Sequence, residues 1–315
     1  MVATADTHAR EDAVLRESCG LVDRSERGKL ALTGSEAKQF LQGQVTQDIE
    51  ALSPGEGGYA AFLDYKGKMQ GDLRVLDLGD ELWLDCECVA LQDLFNMIRR
   101  YKLGMDVELH KRTLECGLLS LIGPDARRVA GGQLPATEHA CARGSLDGMS
   151  VVRVVTDVGV DLICAADDVA RVRAALEAAG AVPVSEAAAE VLRVESGRPR
   201  YGVDLDQTVI PQEAGLNERA VSFTKGCYVG QETVARLHYR GKPNRHLRGL
   251  RLSEPVPSGA ELRRGEKVVG RLGSVVVSPR LGPIALALVR REAAPGDRLA
   301  VDGSAASAEV VELPF

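Results

Sequence analysis

The periodicity of the chain changes near residue 244, and this change constrains the fold more than any other feature. Before it, strand-like runs alternate with segments in which apolar residues recur at helical spacing, as at Leu91, Leu94, Phe95 and Ile98. After it, helical spacing disappears, and five short strand-like runs alternate with Gly and Pro turns. The sequence therefore predicts an α+β body over residues 1–243 and a β-rich C-terminal domain over residues 244–315.

The strand pattern of the body favours antiparallel sheets. The runs Leu73–Leu76 and Leu82–Cys86 flank the pair Gly79-Asp80, which is typical of a hairpin turn. Amphipathic helical segments lie between such runs, so we expect helices to cover one face of the sheets. At 315 residues the chain is long enough for more than one domain, and the body is predicted to contain two interleaved subdomains.

The composition excludes several classes of protein. Hydrophobic residues make up 45% and charged residues 27%, which is ordinary for a globular protein and excludes a disordered or collagen-like chain. The apolar runs are too short for a membrane span, and the first twenty residues lack the pattern of a secretory signal, so we predict a cytoplasmic protein with no membrane partner. Seven scattered cysteines without a ligand-like spacing predict reduced thiols and no metal site.

The net charge of −6 conceals a basic segment. Residues 219–251 carry a formal charge of +7, so the rest of the chain carries −13. This segment is either a solvated surface paired with acidic neighbours or an anion site, because Arg side chains suit carboxylate and phosphate groups. The segment has few aromatic residues and no recognised RNA-binding module, which argues against nucleic acid as a partner.

Cys227 lies inside the basic segment, in the run K-G-C-Y-V-G-Q-E. Gly226 and Gly230 allow sharp turns on both sides of it, and a short helix is predicted from Gln231 to Leu237. A thiol beside Lys225 and just before a helix N-terminus is in surroundings that favour the reactive thiolate. The alternative is a tight turn in which Cys227 only fills space.

Glu195 is the second residue with a chemical argument. The run from Ser185 to Gly197 predicts a helix with Ser185 as its N-cap. Near the C-terminus of that helix, Glu195 shares an apolar face with Val191 and Leu192, where the helix dipole disfavours a carboxylate. We therefore expect a compensating partner, which is either a neighbouring arginine on the surface or a ligand that donates N–H groups.

Three stretches of the sequence resemble known families. The run K-G-C-Y-V-G-Q-E resembles the signature of the YgfZ family of folate-binding proteins, which act in iron–sulfur cluster assembly and repair. Residues 40–48, F-L-Q-G-Q-V-T-Q-D, are similar to an early run of that family, and residues 269–286 are similar to the last domain of the related glycine cleavage T-protein. The resemblance implies a T-protein-like cloverleaf, with antiparallel sheets and helices around a central folate channel, a C-terminal β-barrel-like domain and tetrahydrofolate as the cofactor.

The resemblance also implies roles for individual residues. The run L-R-V-E-S-G is similar to the T-protein's L-R-L-E-A-G, which implies that Glu195 binds the pterin ring. The remaining cofactor-binding residues that it implies are Lys225, Tyr228, Gln231 and Arg236, with Lys225 at the folate glutamate tail or beside the thiolate. Cys227 would have a redox or cluster-contacting role, with iron–sulfur client or assembly proteins as partners.

One position departs from the T-protein pattern. The T-protein has a D-D-L run that supplies a carboxylate for aminomethyl transfer, whereas this chain has Gly71-Asp72-Leu73. Asp72 is then the remaining candidate for proton transfer. Two hypotheses follow: a tetrahydrofolate-binding accessory protein for iron–sulfur cluster assembly or repair, and, as the alternative, a tetrahydrofolate-dependent aminomethyltransferase of the glycine cleavage type.

Overall fold

The computed structural model describes residues 2–315, with side chains from residue 9 onward. The α-helices of this described part, in chain order, are α1 (Val2–Glu17), α2 (Ala37–Gln42), α3 (Cys88–Tyr101), α4 (Ala126–Ala130), α5 (Val169–Ala178), α6 (Glu186–Glu195), α7 (Asn217–Ala220) and α8 (Gln231–Arg240). A short 3₁₀ helix, Ala166–Asp168, precedes α5. No helix between residues 2 and 315 combines the length and apolar character needed to cross a bilayer.

The strands fall into three sheets. In chain order they are β1 (Gly20–Asp23), β2 (Gly28–Thr33), β3 (Gly57–Leu63), β4 (Met69–Asp77), β5 (Leu82–Cys86), β6 (Glu108–Lys111), β7 (Cys116–Ile122), β8 (Cys141–Leu146), β9 (Met149–Val155), β10 (Gly159–Ala165), β11 (Val182–Pro183), β12 (Arg245–Leu252), β13 (Glu261–Arg264), β14 (Lys267–Ser278), β15 (Gly282–Arg290), β16 (Arg298–Val301) and β17 (Ser307–Val311). The predicted hairpin at Gly79-Asp80 is the β4–β5 turn, where Gly79 has a φ of 90° that suits glycine.

The chain forms two compact units, each assembled from separated segments. Unit 1 consists of Met1–Phe62, Gln70–Ala189 and Ala220–Val229. Unit 2 consists of Leu63–Met69, Glu190–Arg219 and Gly230–Phe315. These units do not correspond to the two domains predicted from the sequence. The domain boundary at residue 243 therefore stays a prediction.

Unit 1 is built on two sheets that share a core. One sheet has the order β11-β1-β7-β10-β9-β8, and the other has the order β3-β4-β5-β2-β6. Leu76 and Trp83 from the second sheet pack with Leu118, Val154 and Ile163 from the first, so the sheets lie face to face. Strand β1 runs antiparallel to β7 and parallel to the short β11. The other strand pairs of unit 1 whose register is determined are antiparallel.

Helices cover the sheet faces that point away from this shared core. Alternate residues of a strand point to opposite faces, so Leu119 and Leu121 point away from the core that contains Leu118. These side chains pack with Val129 of α4 and Leu176 of α5. On the other sheet, α3 packs against β2. The predicted α+β arrangement of antiparallel sheets and helices is therefore confirmed.

Unit 2 contains a closed barrel in the order β12-β15-β14-β13-β16-β17. Its interior is filled by aliphatic side chains such as Leu250, Leu262, Leu272 and Val310, which are buried. All six strands lie between Arg245 and Val311, as the loss of helical spacing predicts. Closure pairs every strand on both sides and removes exposed sheet edges.

Candidate active site

Glu195 is the last residue of α6. The helix begins after Ser185, whose Oγ accepts the N–H of Ala188 at 3.2 Å, so the predicted N-cap is present. It ends before Gly197, whose φ of 69° is in the left-handed region typical of a helix C-terminus. Local sequence therefore places the Glu195 carboxylate at the C-terminal end of this helix, as expected.

The Glu195 side chain is buried, with 9% of the residue exposed. Its Oε1 accepts the hydroxyl of Ser278 at 2.6 Å, and Ser278 is the last residue of β14. The Ser278 Oγ in turn accepts the N–H groups of Arg280 (3.1 Å) and Leu281 (3.0 Å). Because a serine hydroxyl has one proton, these two backbone donors direct that proton towards the carboxylate. The barrel turn thus orients Glu195, and sequence reasoning missed Ser278.

Asp72 lies on β4 and is also buried, with 6% of the residue exposed. Its Oδ2 accepts the hydroxyl of Tyr59 on the neighbouring strand β3 at 2.7 Å. Burial raises the pKa of the Asp72 carboxyl to about 6, against the opposing effect of the Tyr59 hydrogen bond. A carboxyl that titrates near neutrality can take up and release a proton, which is the property a general acid or base needs.

Arg74 lies on the same face of β4 as Asp72, two residues along the strand. Its guanidinium forms ion pairs with two other carboxylates, those of Asp85 at 2.9 Å and Asp161 at 2.7 Å. Asp161 also accepts the hydroxyl of Ser120 at 2.7 Å. The Arg74 charge is therefore balanced by this buried network rather than by Asp72.

The resemblance assigns Gly71 to the position of the first acid in the T-protein's D-D-L run. A Cβ atom added there would lie 2.4 Å from Cε1 of Phe62 and 2.8 Å from Cβ of Ala90. Contacts this short do not occur in folded proteins, so the space beside Gly71 is filled. Any proton transfer in this motif must therefore rest on Asp72 alone.

The raised pKa of Asp72 predicts a pH dependence of stability. The pKa rises from its ordinary 3.8 to about 6, so the folded state binds this proton more tightly than the unfolded state. The associated stabilisation is fully present below pH 3.8 and is lost as the pH rises through about 6. We expect the difference in unfolding free energy between wild type and Asp72→Asn to change by about 3 kcal/mol, measured by urea unfolding from acid to neutral pH.

Tyr59→Phe is the companion variant for that measurement. The substitution removes the hydroxyl whose hydrogen bond stabilises the ionised Asp72 carboxylate. The change in stability should therefore occur at a higher pH than in the wild type. If the difference in unfolding free energy between wild type and Asp72→Asn stayed constant from acid to neutral pH, that result would contradict the raised pKa of Asp72.

Backbone carbonyls hold the Lys225 side chain, and its contact with a folate glutamate tail or a thiolate stays a prediction. Its Nζ donates to the backbone carbonyl oxygens of Gln42 (2.6 Å), Val45 (2.8 Å) and Gln47 (2.8 Å). Burial lowers the pKa of Lys225 to about 8, so the ammonium is still protonated at neutral pH and all three of its N–H donors are used. To contact a folate glutamate tail or a thiolate, Lys225 would have to release one of these carbonyls.

These contacts join the two runs that carry the family resemblance in unit 1. The loop that contains Lys225 packs against residues 42–47, and the N–H of Val229 donates to the carbonyl of Gly43 at 3.2 Å. The Tyr228 ring is buried and lies 5.2 Å from the Lys225 Nζ, a cation–π contact. Burial raises the pKa of Tyr228 to about 12, so its phenol stays protonated at neutral pH.

Cys227 lies in the same loop and is exposed. Exposure contradicts the alternative in which its thiol only fills space. Among the residues with described side chains, no group of three or more His, Cys, Asp or Glu is arranged to hold a metal ion.

The remaining two predicted cofactor residues lie on α8, in unit 2. Gln231 begins the helix and is partly buried, and Arg236 is exposed. The basic segment is less uniform than its formal charge suggests, because Arg245 pairs with Glu213 at 2.8 Å and Arg248 pairs with Glu312 at 2.9 Å. Pairing with acidic neighbours, one of the two alternatives for this segment, is therefore found at Arg245 and Arg248.

Two family models match the chain. The GCVT N-terminal domain matches residues 2–225, and the glycine cleavage T-protein C-terminal barrel domain matches residues 245–315. The chain belongs to the glycine cleavage T-protein family. Tetrahydrofolate, the predicted cofactor, is the cofactor of this family.

Curated relatives cover most of the chain. An aminomethyltransferase from Geobacillus thermodenitrificans is 30% identical, over 97% of this chain and 89% of the relative. An aminomethyltransferase from Rubrobacter xylanophilus is 29% identical, over 100% of this chain and 87% of the relative. A putative chloroplastic transferase from Arabidopsis thaliana is 28% identical, over 94% of this chain and 71% of the relative.

A solved structure shares the fold of the T-protein family member described here. The aminomethyltransferase T of the Bartonella henselae glycine cleavage system superposes with a TM-score of 0.87 at 22% identity, over 98% of this chain and 89% of that one. The fold class predicted from the resemblance is thus confirmed, including the C-terminal barrel. The narrower assignment to the YgfZ family stays a prediction.

Proposed function

We propose that this T-protein family member catalyses tetrahydrofolate-dependent aminomethyl transfer of the glycine cleavage type. The observation that carries the proposal is the buried Asp72 carboxyl, with its pKa near 6 and its hydrogen bond from Tyr59. The relatives named aminomethyltransferase support this function over the iron–sulfur accessory function.

The side chains around Asp72 suit a proton-transfer role. Tyr59 donates to Oδ2 and so orients the carboxyl, and the other oxygen is the one that would exchange a proton with the substrate. Burial keeps this carboxyl away from bulk water, which maintains its raised pKa. Bound tetrahydrofolate supplies the amine nitrogens that accept the one-carbon unit.

Glu195 fits the donor pattern of a pterin. A carboxylate accepts two parallel N–H bonds from an aminopyrimidine edge, and charge-assisted bonds of this kind are among the stronger ones. Glu195 is buried and held by Ser278, so its orientation is fixed before the cofactor binds. This arrangement supports Glu195 as the pterin-binding residue.

The Glu195 assignment predicts a graded loss of tetrahydrofolate affinity. Glu195→Gln should raise Kd by about 10- to 100-fold, because it removes a charge-assisted interaction. Ser278→Ala should raise Kd by about 2- to 10-fold, because one orienting hydrogen bond is lost. Calorimetric titration with tetrahydrofolate measures both.

Ser196→Ala is the matched control for Ser278→Ala. Ser196 is exposed, and its hydroxyl bonds only within its own helix turn, to the Leu192 carbonyl at 2.8 Å. We expect wild-type affinity from this variant. Unchanged affinity in Glu195→Gln would show that the carboxylate does not bind the pterin.

The proposed reaction is tested with the wild-type protein, an aminomethylated lipoyl carrier protein and tetrahydrofolate. Methylene-tetrahydrofolate should form at a rate proportional to the concentration of this protein. Product no faster than in the reaction without it would remove the proposal.

A second function is favoured by two observations. Cys227 is exposed in the K-G-C-Y-V-G-Q-E run, and this thiol has no role in the proposed transfer reaction. The filled space beside Gly71 points in the same direction, because the first acid of the T-protein motif has no room here. We therefore retain a YgfZ-like role as a second candidate: a tetrahydrofolate-binding factor for iron–sulfur assembly or client proteins in the cytoplasm.

A further inference from the structure

An exposed surface of unit 2 combines tyrosine rings with cationic side chains. It consists of the β3–β4 hairpin tip, residues 64–68, and α8 with the residues that follow it to Lys242; we call it the hairpin–α8 surface. Tyr65 is 78% exposed and Tyr239 is 67% exposed. Lys66, Arg236, Arg240 and Lys242 are exposed around them.

The hairpin tip and the helix are packed together. A Cβ atom added to Gly67 would lie 2.9 Å from Cβ of Thr233, and one added to Gly230 would lie 2.5 Å from the carbonyl oxygen of Asp64. The tip is itself ordered by the Asp64 carboxylate, whose Oδ1 accepts the N–H groups of Lys66 and Lys68, both at 2.8 Å. The tip is therefore fixed beside the first turn of α8.

The helix continues the same surface. Residues three, four and seven apart share a face, so Arg236 and Arg240 lie on the side of α8 that Thr233 presents to the hairpin. Tyr239 neighbours Arg236 and is about 9 Å further along the helix axis than Thr233. The surface thus places a tyrosine ring near each end with cations between them.

The charge of this surface is opposite to that of the chain. Residues 64–68 and 231–242 contain five Lys or Arg residues and two acids, within a chain of net charge −6. Phosphates bind to such cations, and an exposed tyrosine ring offers a stacking face to any base. An acidic peptide would use only the cations. We propose that the hairpin–α8 surface binds single-stranded nucleic acid.

The sequence argued against nucleic acid as a partner because the basic segment itself contains few aromatic residues. Tyr65 and Lys66 lie far from that segment in the chain, and the fold brings them to α8. Their ring and ammonium also contact one another, at 5.3 Å from Nζ to the ring centroid. The proposal goes beyond the transfer reaction, for which Arg236 of this surface is predicted to bind the cofactor.

The test is fluorescence anisotropy with the full chain and labelled oligouridylate or oligothymidylate. We expect binding that weakens with salt, with a slope of log K against log salt of about −2 to −3 for three or four phosphates. Tyr65→Ala and Tyr239→Ala should each weaken binding by about 5- to 100-fold. Lys66→Gln and Arg240→Gln should each make the slope shallower by about 0.7.

Arg100→Gln and Tyr101→Ala are the matched controls, because they form another exposed Arg and Tyr pair at the end of a helix, α3. Both should bind like wild type. A preference for one oligonucleotide identifies RNA or DNA as the ligand. Absence of binding, equal losses in the α3 variants, unchanged affinity in both tyrosine variants, or displacement by an oligoglutamate peptide of equal charge would each overturn the proposal.

Discussion

Replacing Asp72 with Asn is expected to lower the kcat of aminomethyl transfer by about 10²- to 10⁴-fold, the usual contribution of a general acid or base. Asn keeps the shape of the side chain and can still accept the Tyr59 hydroxyl, but it cannot exchange a proton near neutral pH. Gly71 provides no second carboxyl to replace it. Steady-state kinetics with aminomethylated carrier protein and tetrahydrofolate measure the loss.

The pH profile of the same assay separates a proton-transfer role from a structural one. Because the pKa of Asp72 is raised to about 6, wild-type activity should change across that pH, and the residual activity of Asp72→Asn should not show that step. Asp80→Asn is the control, since Asp80 lies in the exposed β4–β5 turn and pairs with Arg143 at 2.7 Å. Wild-type kcat in Asp72→Asn would contradict the proposed mechanism.

The same variant also separates the two candidate functions when it is paired with Cys227→Ser. If the protein is a transferase, Asp72→Asn abolishes its contribution in cells and the exposed thiol is dispensable. If it is an iron–sulfur accessory protein, a strain that lacks the gene should regain iron–sulfur enzyme activity with Asp72→Asn but not with Cys227→Ser. The two hypotheses thus predict opposite patterns of complementation.

Replacing Lys225 with Met is expected to lower the free energy of unfolding by about 3 kcal/mol or more. Met has a similar length but no donor, so the carbonyls of Gln42, Val45 and Gln47 lose their shared partner. Each buried acceptor left without a hydrogen bond costs about 1–3 kcal/mol, although water can recover part of this. Urea unfolding at neutral pH measures the change.

Lys242→Met is the control for that measurement, because Lys242 is exposed and its replacement should change stability by less than about 0.5 kcal/mol. The alternative role of Lys225, at the glutamate tail of the cofactor, has a different signature. It predicts weaker binding of tetrahydrofolate in addition to the loss of stability, because Lys225 would hold the carbonyls in the free protein and release one of them to the cofactor. Wild-type stability in Lys225→Met would contradict the contribution of the carbonyl contacts.

The elements of the fold were predictable where their causes are local. The Ser185 cap, the left-handed Gly197 and the β4–β5 hairpin each depend on residues within a few positions of one another. The β-rich C-terminal domain follows from the loss of helical spacing after residue 244. The helix expected from Gln231 to Leu237 extends to Arg240, because helix ends are set by weaker signals than helix interiors.

The candidate site was only half predictable. Asp72 and Glu195 stand out in the sequence, whereas Tyr59 and Ser278 do not, although these two hydroxyls orient the carboxyl groups. The only available signal for Tyr59 was its place in the run G-G-Y-A-A-F-L, whose alternation is too weak to predict β3 or its register with β4. Nothing in the sequence around Ser278 distinguishes it from other serines in turns.

The sequence alone determined the periodicities, the ends of α6, the basic segment and the family motifs, because each is a property of neighbouring residues. The tertiary structure decided what the motif residues contact. Ser278 lies 83 residues from Glu195, and the carbonyls that bind Lys225 lie 178 to 183 residues before it. Such partners depend on strand register and on packing between distant segments, and burial by that packing is also what raises the pKa of Asp72 and lowers that of Lys225.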